Sequence, residues 1–145
     1  MTSLLTSDCR IKVSSVLNRE TTLYGKQFLT DGNEETCWNS DSGTPQFIVV
    51  DFGRSVLINT IQLMFQGGFV GKSCLVQTWQ PDSGDWADMT RFYPEDINPL
   101  QTFPIVVDAP STAATTSRIK IVFETSTDFF GRITVYKLDI LGQEA

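Results

Sequence analysis

The sequence contains no histidine, and this absence closes the commonest routes to catalysis. Histidine-activated serine and cysteine nucleophiles, histidine general acids and bases, and most zinc sites all need an imidazole. We therefore expect no enzymatic activity and no catalytic residue in this chain. A hydrolase with a histidine-free site is the weak enzymatic alternative.

Positive charge is also scarce, since 11 lysines and arginines face 17 acidic residues and give a net charge of −6. Proteins that bind nucleic acid by neutralising phosphates carry a basic surface, and so do proteins that bind anionic membranes. No apolar run approaches the roughly 18 residues that span a bilayer. We expect neither direct nucleic-acid binding nor membrane binding.

The chain has only three cysteines, Cys9, Cys37 and Cys74, and their spacing matches no CxxC metal or redox pattern. Residues 1–8 have neither a positive segment nor a long apolar segment, so we expect no signal peptide. Both features favour reduced thiols in a nuclear or cytosolic protein.

Long helical patterns are missing too, and short runs rich in Val, Ile, Phe and Thr take their place. Such runs, separated by Gly, Pro, Asn and Asp, predict an all-β chain, and seven of them suit an antiparallel sandwich. The predicted strands cover residues 47–52, 56–66, 73–80, 86–92, 102–107, 118–123 and 133–141. We expect a single domain over residues 1–145, with its core between about residues 10 and 142.

Three local patterns refine this prediction. The apolar alternation of residues 133–140 changes phase between Val135 and Tyr136, as it does at a β-bulge. Residues 81–85 separate two tryptophan-containing strands, and Gly84 can supply the positive φ of a tight hairpin. Residues 110–117 are small and polar and predict a surface loop.

Six sequence segments follow one another in a recognisable order. They are the serine pair 14–15, DGNEETCW at 31–38, QFIVVDFG at 46–53, DSGDW at 82–86, RIKI at 118–121 and LDILG at 138–142. Together they resemble the discoidin, or factor V/VIII type C, domain family. The resemblance implies a galactose-binding-like jelly-roll β-sandwich. Secreted members clamp their two ends with a disulfide, which cannot form here because no cysteine follows Cys74.

Further segments are not general features of that family. They are QGGF at 66–69, FYPED at 92–96, LQTFPI at 100–105 and TDFFGR at 127–132. They resemble a family of small nuclear-receptor-associated repressors. This resemblance implies a non-enzymatic protein of the nucleus, or of nucleus and cytoplasm, that binds a nuclear receptor and blocks its DNA binding. The alternative is a lectin-like or calcium-stabilised module that binds a glycan or a larger assembly.

The turn at residues 31–36 carries the only cofactor hypothesis. Many discoidin domains hold calcium here, and the matching positions are Asp31, Asn33, Thr36 and Asp139. Calcium takes six to eight oxygen ligands, whereas only two of these side chains are carboxylates. The alternative is a bare Asx-type turn, in which Asp31 caps backbone N–H groups and Gly32 takes a positive φ.

Three loops, at residues 66–71, 92–100 and 128–132, form the predicted partner surface. Loops of jelly-roll sandwiches cluster at two ends, and we predict that these three share one end. Aromatic residues and arginine dominate binding hot spots, and acidic residues suit a basic partner such as a receptor's DNA-binding domain. The predicted contact residues are Phe69, Phe92, Tyr93, Glu95, Asp96, Asp128, Phe129, Phe130 and Arg132. The alternative is that the aromatic tips anchor the loops in the core and that the acidic loop is simply solvated.

Overall fold

The computed structural model describes residues 2–105 and 115–145, and β-strands dominate them. The strands are β1 (Thr2–Ser3), β2 (Arg10–Val13), β3 (Trp38–Asn39), β4 (Gln46–Phe65), β5 (Gly71–Gln80), β6 (Asp85–Phe92), β7 (Gln101–Pro104), β8 (Thr115–Ser126) and β9 (Thr134–Glu144). Between β2 and β3 lie two 3-10 helices, Leu17–Arg19 and Lys26–Leu29, and the single-turn helix α1, Thr21–Tyr24. The predicted strand at 102–107 and the predicted loop at 110–117 lie partly outside the described residues.

Strand β4 turns one hydrogen-bonded sheet into a sandwich. Its first half pairs with β2 and β8, and its second half pairs with β7 and β9, with Val56 and Leu57 still opposite β8. A register shift between Asp51 and Val56 separates the halves, and Gly53 takes a φ of +70° there. The predicted strands 47–52 and 56–66 are therefore the two halves of one bent strand.

The two layers share one hydrophobic core. The first layer runs in the order β2-β4-β8-β5-β6, and in the second layer β9 pairs with β4, β1 and β3. Phe65 of the second layer meets Phe123 of the first edge to face, with ring centroids 6.0 Å apart. The all-β sandwich prediction is confirmed. The core also includes Leu4, so it begins earlier than the predicted residue 10.

The predicted bulge and hairpin are both present. Met64 lies opposite Lys137 and Phe65 opposite Val135, which leaves Tyr136 as the extra residue of β9. In the β5–β6 hairpin, Trp79 lies opposite Trp86. Its turn residue Gly84 has a φ of +66° and donates its N–H to the Gln80 carbonyl at 2.8 Å. The hairpin sets both tryptophans side by side at the edge of the first layer.

The motif residues near the N-terminus are structural. The Trp38 side chain is fully buried, and its Nε1 donates to the Ser15 carbonyl at 2.9 Å. Ser15 Oγ donates to Gln46 Oε1 at 2.7 Å, and the Phe47 N–H donates to Ser14 Oγ at 2.9 Å. These bonds attach the segment after β2 to the start of β4. The serine pair, Trp38 and Gln46 therefore have a structural role in this fold.

The three cysteines are free thiols in the structure. Cys74 lies in the core, and burial raises the pKa of its thiol, with the Glu124 carboxylate acting in the same direction. Cys9 is half-buried and donates its S–H to the Leu4 carbonyl at 3.2 Å. Each of these two side chains therefore acts as a small packing group.

Candidate binding surfaces

The loops at 66–71 and 92–100 contact each other through two backbone N–H groups. The Gly67 N–H donates to Asn98 Oδ1, and the Gly68 N–H donates to Asp96 Oδ1, both at 2.7 Å. Asp96 and Asn98 thus hold the glycine turn with their side chains. One acidic residue of the predicted rim has a structural role as well.

The third loop joins the same end of the sandwich. Val70 and Thr127 exchange two hydrogen bonds: the Thr127 N–H donates to the Val70 carbonyl at 2.9 Å, and the Val70 N–H donates to Thr127 Oγ1 at 3.0 Å. The Arg132 guanidinium lies 5.0 Å from the centre of the Phe69 ring. The three loops therefore share one end, as predicted, and we call the loops 66–71, 92–100 and 127–132 together the loop end.

Two phenylalanines project from the loop end. Phe129 is 94% exposed and Phe130 is 61% exposed, and their rings meet edge to face at 5.3 Å. The guanidinium of Arg132 lies 5.6 Å from the Phe130 ring. Neither phenylalanine anchors its loop in the core, so that alternative is wrong for this tip.

An internal brace holds these phenylalanines in place. The Asp128 side chain is only 10% exposed and accepts from Arg132 Nε at 2.9 Å, Nη2 at 3.3 Å and the backbone N–H at 3.1 Å. The Arg132 hydrogen bonds hold the pKa of the Asp128 carboxyl below its usual value. Gly131 has a φ of +79°, and a Cβ there would lie 2.9 Å from the Gly43 carbonyl carbon. Asp128 thus shapes the surface and offers little of its carboxylate to a partner.

The structure corrects one predicted contact residue, Phe92. This side chain is 6% exposed and stacks on Phe103 with ring centroids 4.3 Å apart. As the last residue of β6 it lies opposite Cys74 and points into the core. The next residue, Tyr93, is 67% exposed. The Glu95 backbone is tied to the Gln101 side chain, and its carboxylate lies at the surface.

The predicted calcium residues lie in a closed turn and on β9, and Gly32 of the turn lines the same recess as Asp139. Asp31 accepts the Asn33 N–H at 3.0 Å and the Thr36 hydroxyl at 2.5 Å, and Gly32 has a φ of +72°. Asp139 accepts the Ser3 hydroxyl at 2.6 Å, and Lys137 lines the same recess. No group of three or more His, Cys, Asp or Glu side chains suited to a metal occurs within residues 2–105 and 115–145. The hydrogen bonds favour the Asx-type turn, and calcium stays a prediction.

A second surface lies on the outer face of the first layer, and sequence reasoning missed it. It is a groove of about 520 Å³. Its lining comprises Arg10, Ile11, Lys12, Lys26, Phe47, Val49, Asp51, Trp79, Trp86, Arg118 and Lys120. We call it the basic groove. Strand alternation already sets Lys120 opposite the apolar residues of β8, but the rest of the lining comes from four other strands and from Lys26 of the second 3-10 helix.

Comparison with known proteins identifies the family. The model of the NedA-like, galactose-binding domain family (F5/F8 type C) matches residues 28–127. The chain belongs to this family. It is also 50% identical over 142 residues to the nuclear receptor 2C2-associated protein of Danio rerio, covering 98% of this chain and 96% of that protein. The Homo sapiens protein of the same name is 43% identical over 145 residues, covering 98% and 97%.

Solved structures of similar domains confirm the jelly-roll fold. The C-terminal domain of a chitobiase from Bacteroides fragilis superposes with a TM-score of 0.78 at 20% identity, covering 99% of both chains. The family 32 carbohydrate-binding module of Clostridium perfringens NanJ, solved with galactose, gives 0.74 at 17% identity, covering 96% of this chain and 97% of that one. At these identities the likeness shows the fold alone. Within the described ranges, no helix is long and apolar enough to cross a membrane.

Proposed function

We propose that this chain is a non-enzymatic binding module that associates with a nuclear receptor through its loop end. The names of its relatives describe association with nuclear receptor 2C2, at 43–50% identity over nearly the full chain. The observation that carries the choice of surface is the exposed pair Phe129 and Phe130, braced from below by Asp128 and Arg132. Binding alone accounts for the arrangement of the described residues at the loop end.

The braced phenylalanines suit a protein partner for two physical reasons. Aromatic residues and arginine carry most of the energy at protein interfaces, and Phe129, Phe130 and Arg132 lie together here. A loop already held in one conformation also loses little entropy on binding. The exposed carboxylate of Glu95 adds negative charge at the same end, which complements a basic partner.

Repression would result if the loop end bound the same face of the receptor that contacts DNA. A receptor's DNA-binding domain is basic because it contacts phosphates. If the loop end occupies part of that face, the receptor cannot bind its DNA element at the same time. We therefore propose competition with DNA, in the nucleus, as the mode of repression.

Binding of purified receptor 2C2 tests the choice of surface. The Phe129→Ala/Phe130→Ala variant should weaken binding by about 2 kcal/mol or more, because hot-spot aromatics cost that much when truncated. Its unfolding midpoint should stay close to that of the parent chain. Leu23→Ala is the matched control, since Leu23 is a 58% exposed apolar residue outside the loop end. Equal binding by all three proteins would rule out the loop end.

A gel-shift assay with a labelled response element tests the mode of repression. We expect the chain to release the receptor from DNA as its concentration rises. A slower-migrating complex of receptor, DNA and this chain would contradict competition while leaving receptor association intact.

A further inference from the structure

The basic groove concentrates positive charge on an acidic protein. Five of the 11 lysines and arginines line it, together with the single carboxylate of Asp51, so its lining carries a net charge of +4. The whole chain carries −6, which leaves −10 for everything outside the groove. We propose that the basic groove is a docking site for an acidic peptide segment of a protein partner.

Most of these cations have no carboxylate of their own. Among the described residues, only Arg118 forms an ion pair in the groove, with Asp51 at 3.2 Å. The other four cations, Arg10, Lys12, Lys26 and Lys120, take part in none of the ion pairs found there. Carboxylates of a partner would therefore meet uncompensated charges without first breaking internal salt bridges.

An aromatic floor fixes the position of the central cations. Lys120 Nζ lies 4.7 Å from the Phe47 ring and 5.1 Å from the Trp86 ring, and the Arg118 guanidinium lies 5.3 Å from the Trp79 ring. The two tryptophans meet edge to face at 5.2 Å. Cation–π contacts of this kind hold charged groups above apolar surface, so part of the ordering entropy is already lost before a partner binds.

The size of the groove fits a short extended segment. Its lining comes from β2, β4, β8, β5 and β6, which are successive strands of the first layer, and from Lys26 of the second 3-10 helix. Five strands spaced about 4.8 Å apart span about 19 Å, which an extended peptide covers with about six residues. Apolar side chains of such a segment can contact Ile11 and Val49 between the cations.

The same geometry disfavours a nucleic acid or a glycan. Bases and sugars stack on open aromatic faces. Here Arg118 lies over Trp79, and Lys120 lies over Phe47 and Trp86. The strongly negative remainder of the chain also repels a polyanion that extends beyond the groove. A short acidic peptide avoids both penalties.

Fluorescence anisotropy with a labelled octapeptide of six glutamates and two phenylalanines tests the proposal. At about 150 mM salt, where exposed charges are largely screened beyond about 8 Å, this peptide should bind more tightly than its counterpart with lysine for glutamate. Lys12→Gln/Lys120→Gln should weaken binding at least about tenfold. Lys72→Gln/Lys137→Gln is the matched control, because it makes the same charge change outside the groove, and it should weaken binding less than about twofold.

A variant that should bind the peptide more tightly separates an effect on charge from a folding defect, because a misfolded protein would not gain affinity. Asp51→Asn removes the one acidic side chain of the lining, and its one carbonyl oxygen can still accept the Gly53 N–H that Oδ1 accepts, while the Arg118 bond to Oδ2 is lost. It should tighten peptide binding about two- to threefold. The loop-end variant Phe129→Ala/Phe130→Ala should bind the peptide like the parent chain.

Three results would overturn the proposal. One is equal binding of the glutamate and lysine peptides, and another is equal weakening by the two double lysine variants. The third is a single-stranded oligonucleotide or galactose that displaces the peptide from the parent chain at lower concentration and loses affinity in Lys12→Gln/Lys120→Gln. That last result would assign the groove to the other ligand class.

Discussion

The loop end and the basic groove both combine aromatic rings with positive charge, but they arrange these groups in opposite ways. At the loop end, Asp128 neutralises Arg132 and the rings of Phe129 and Phe130 project into solvent. In the basic groove, the rings lie beneath Arg118 and Lys120, and four of the five cations have no ion pair among the described residues. The first arrangement suits burial of apolar surface, and the second suits recognition of charge.

This difference follows from where the residues lie in the fold. A loop between two strands can turn two adjacent phenylalanines outward, because no sheet neighbour covers them. On a strand, alternate residues share a face, so an aromatic residue lies beside the long cations of adjacent strands. A loop can thus present protruding aromatic side chains to a partner. A sheet face presents a flat surface on which charged and aromatic side chains lie next to one another.

The largest expected effect separates two phenylalanines that the sequence assigned to one surface. Phe92→Ala should lower the free energy of unfolding by about 3–5 kcal/mol, because it empties a stacked core position. Phe129→Ala should change it by less than about 0.5 kcal/mol. Denaturant unfolding of both variants measures the difference. Similar losses would mean that Phe129 also packs in the core.

The next effect tests the backbone of the braced loop. Gly131→Ala should cost more than the roughly 1–2 kcal/mol of a left-handed non-glycine residue, because the new Cβ also meets Gly43. Gly84→Ala is the control, since Gly84 has a similar φ of +66° and nothing within 4 Å. Thermal unfolding should show the larger loss for Gly131→Ala. Equal losses would show that the loop yields to the added atom.

A smaller effect depends on pH. At pH 7, Asp128→Asn should destabilise the chain by about 1–2 kcal/mol, because charged hydrogen bonds to Arg132 are weakened. The pKa of Asp128 is lowered in the folded state, so this stabilisation is present above the ordinary pKa of about 3.9 and is lost as the pH falls through the lowered value. Parent and variant should therefore converge in stability in acid. Asp51→Asn, in the more exposed pair of the basic groove, should cost less than about 1 kcal/mol.

The smallest effect is expected at the Asp31 turn, which lies outside both surfaces. Ligand that binds only the native state raises the unfolding midpoint. Because Asp31 already accepts bonds from Asn33 and Thr36, we expect the same midpoint with calcium and with a chelator. A rise with calcium that Asp31→Ala abolishes would establish the metal site instead.

Local patterns predicted much of the fold because its longer strands alternate cleanly. The bulge at Tyr136 and the turn at Gly84 follow from adjacent residues alone. Strands β1, β2 and β3 escaped prediction because they have two to four residues each and gain their pairing from distant partners. Phe92 was misplaced because the end of a strand and the start of a loop differ by one residue.

The candidate site was predictable only where one segment carries it. The aromatic pair of the loop end is contiguous, whereas the groove combines residues from Arg10 to Lys120. A net charge summed over the chain conceals such a cluster, because acidic residues elsewhere outnumber the cations. The order of the strands in the first layer and the placement of the second 3-10 helix bring these charges together.

Hydrogen–deuterium exchange with purified nuclear receptor 2C2 tests the central claim, that the receptor binds at the loop end, most directly. We expect slower exchange on binding at residues 127–132 and 66–71, and unchanged exchange in β2 and β6. Protection confined to β2 and β6, with the loop end unchanged, would contradict the claim.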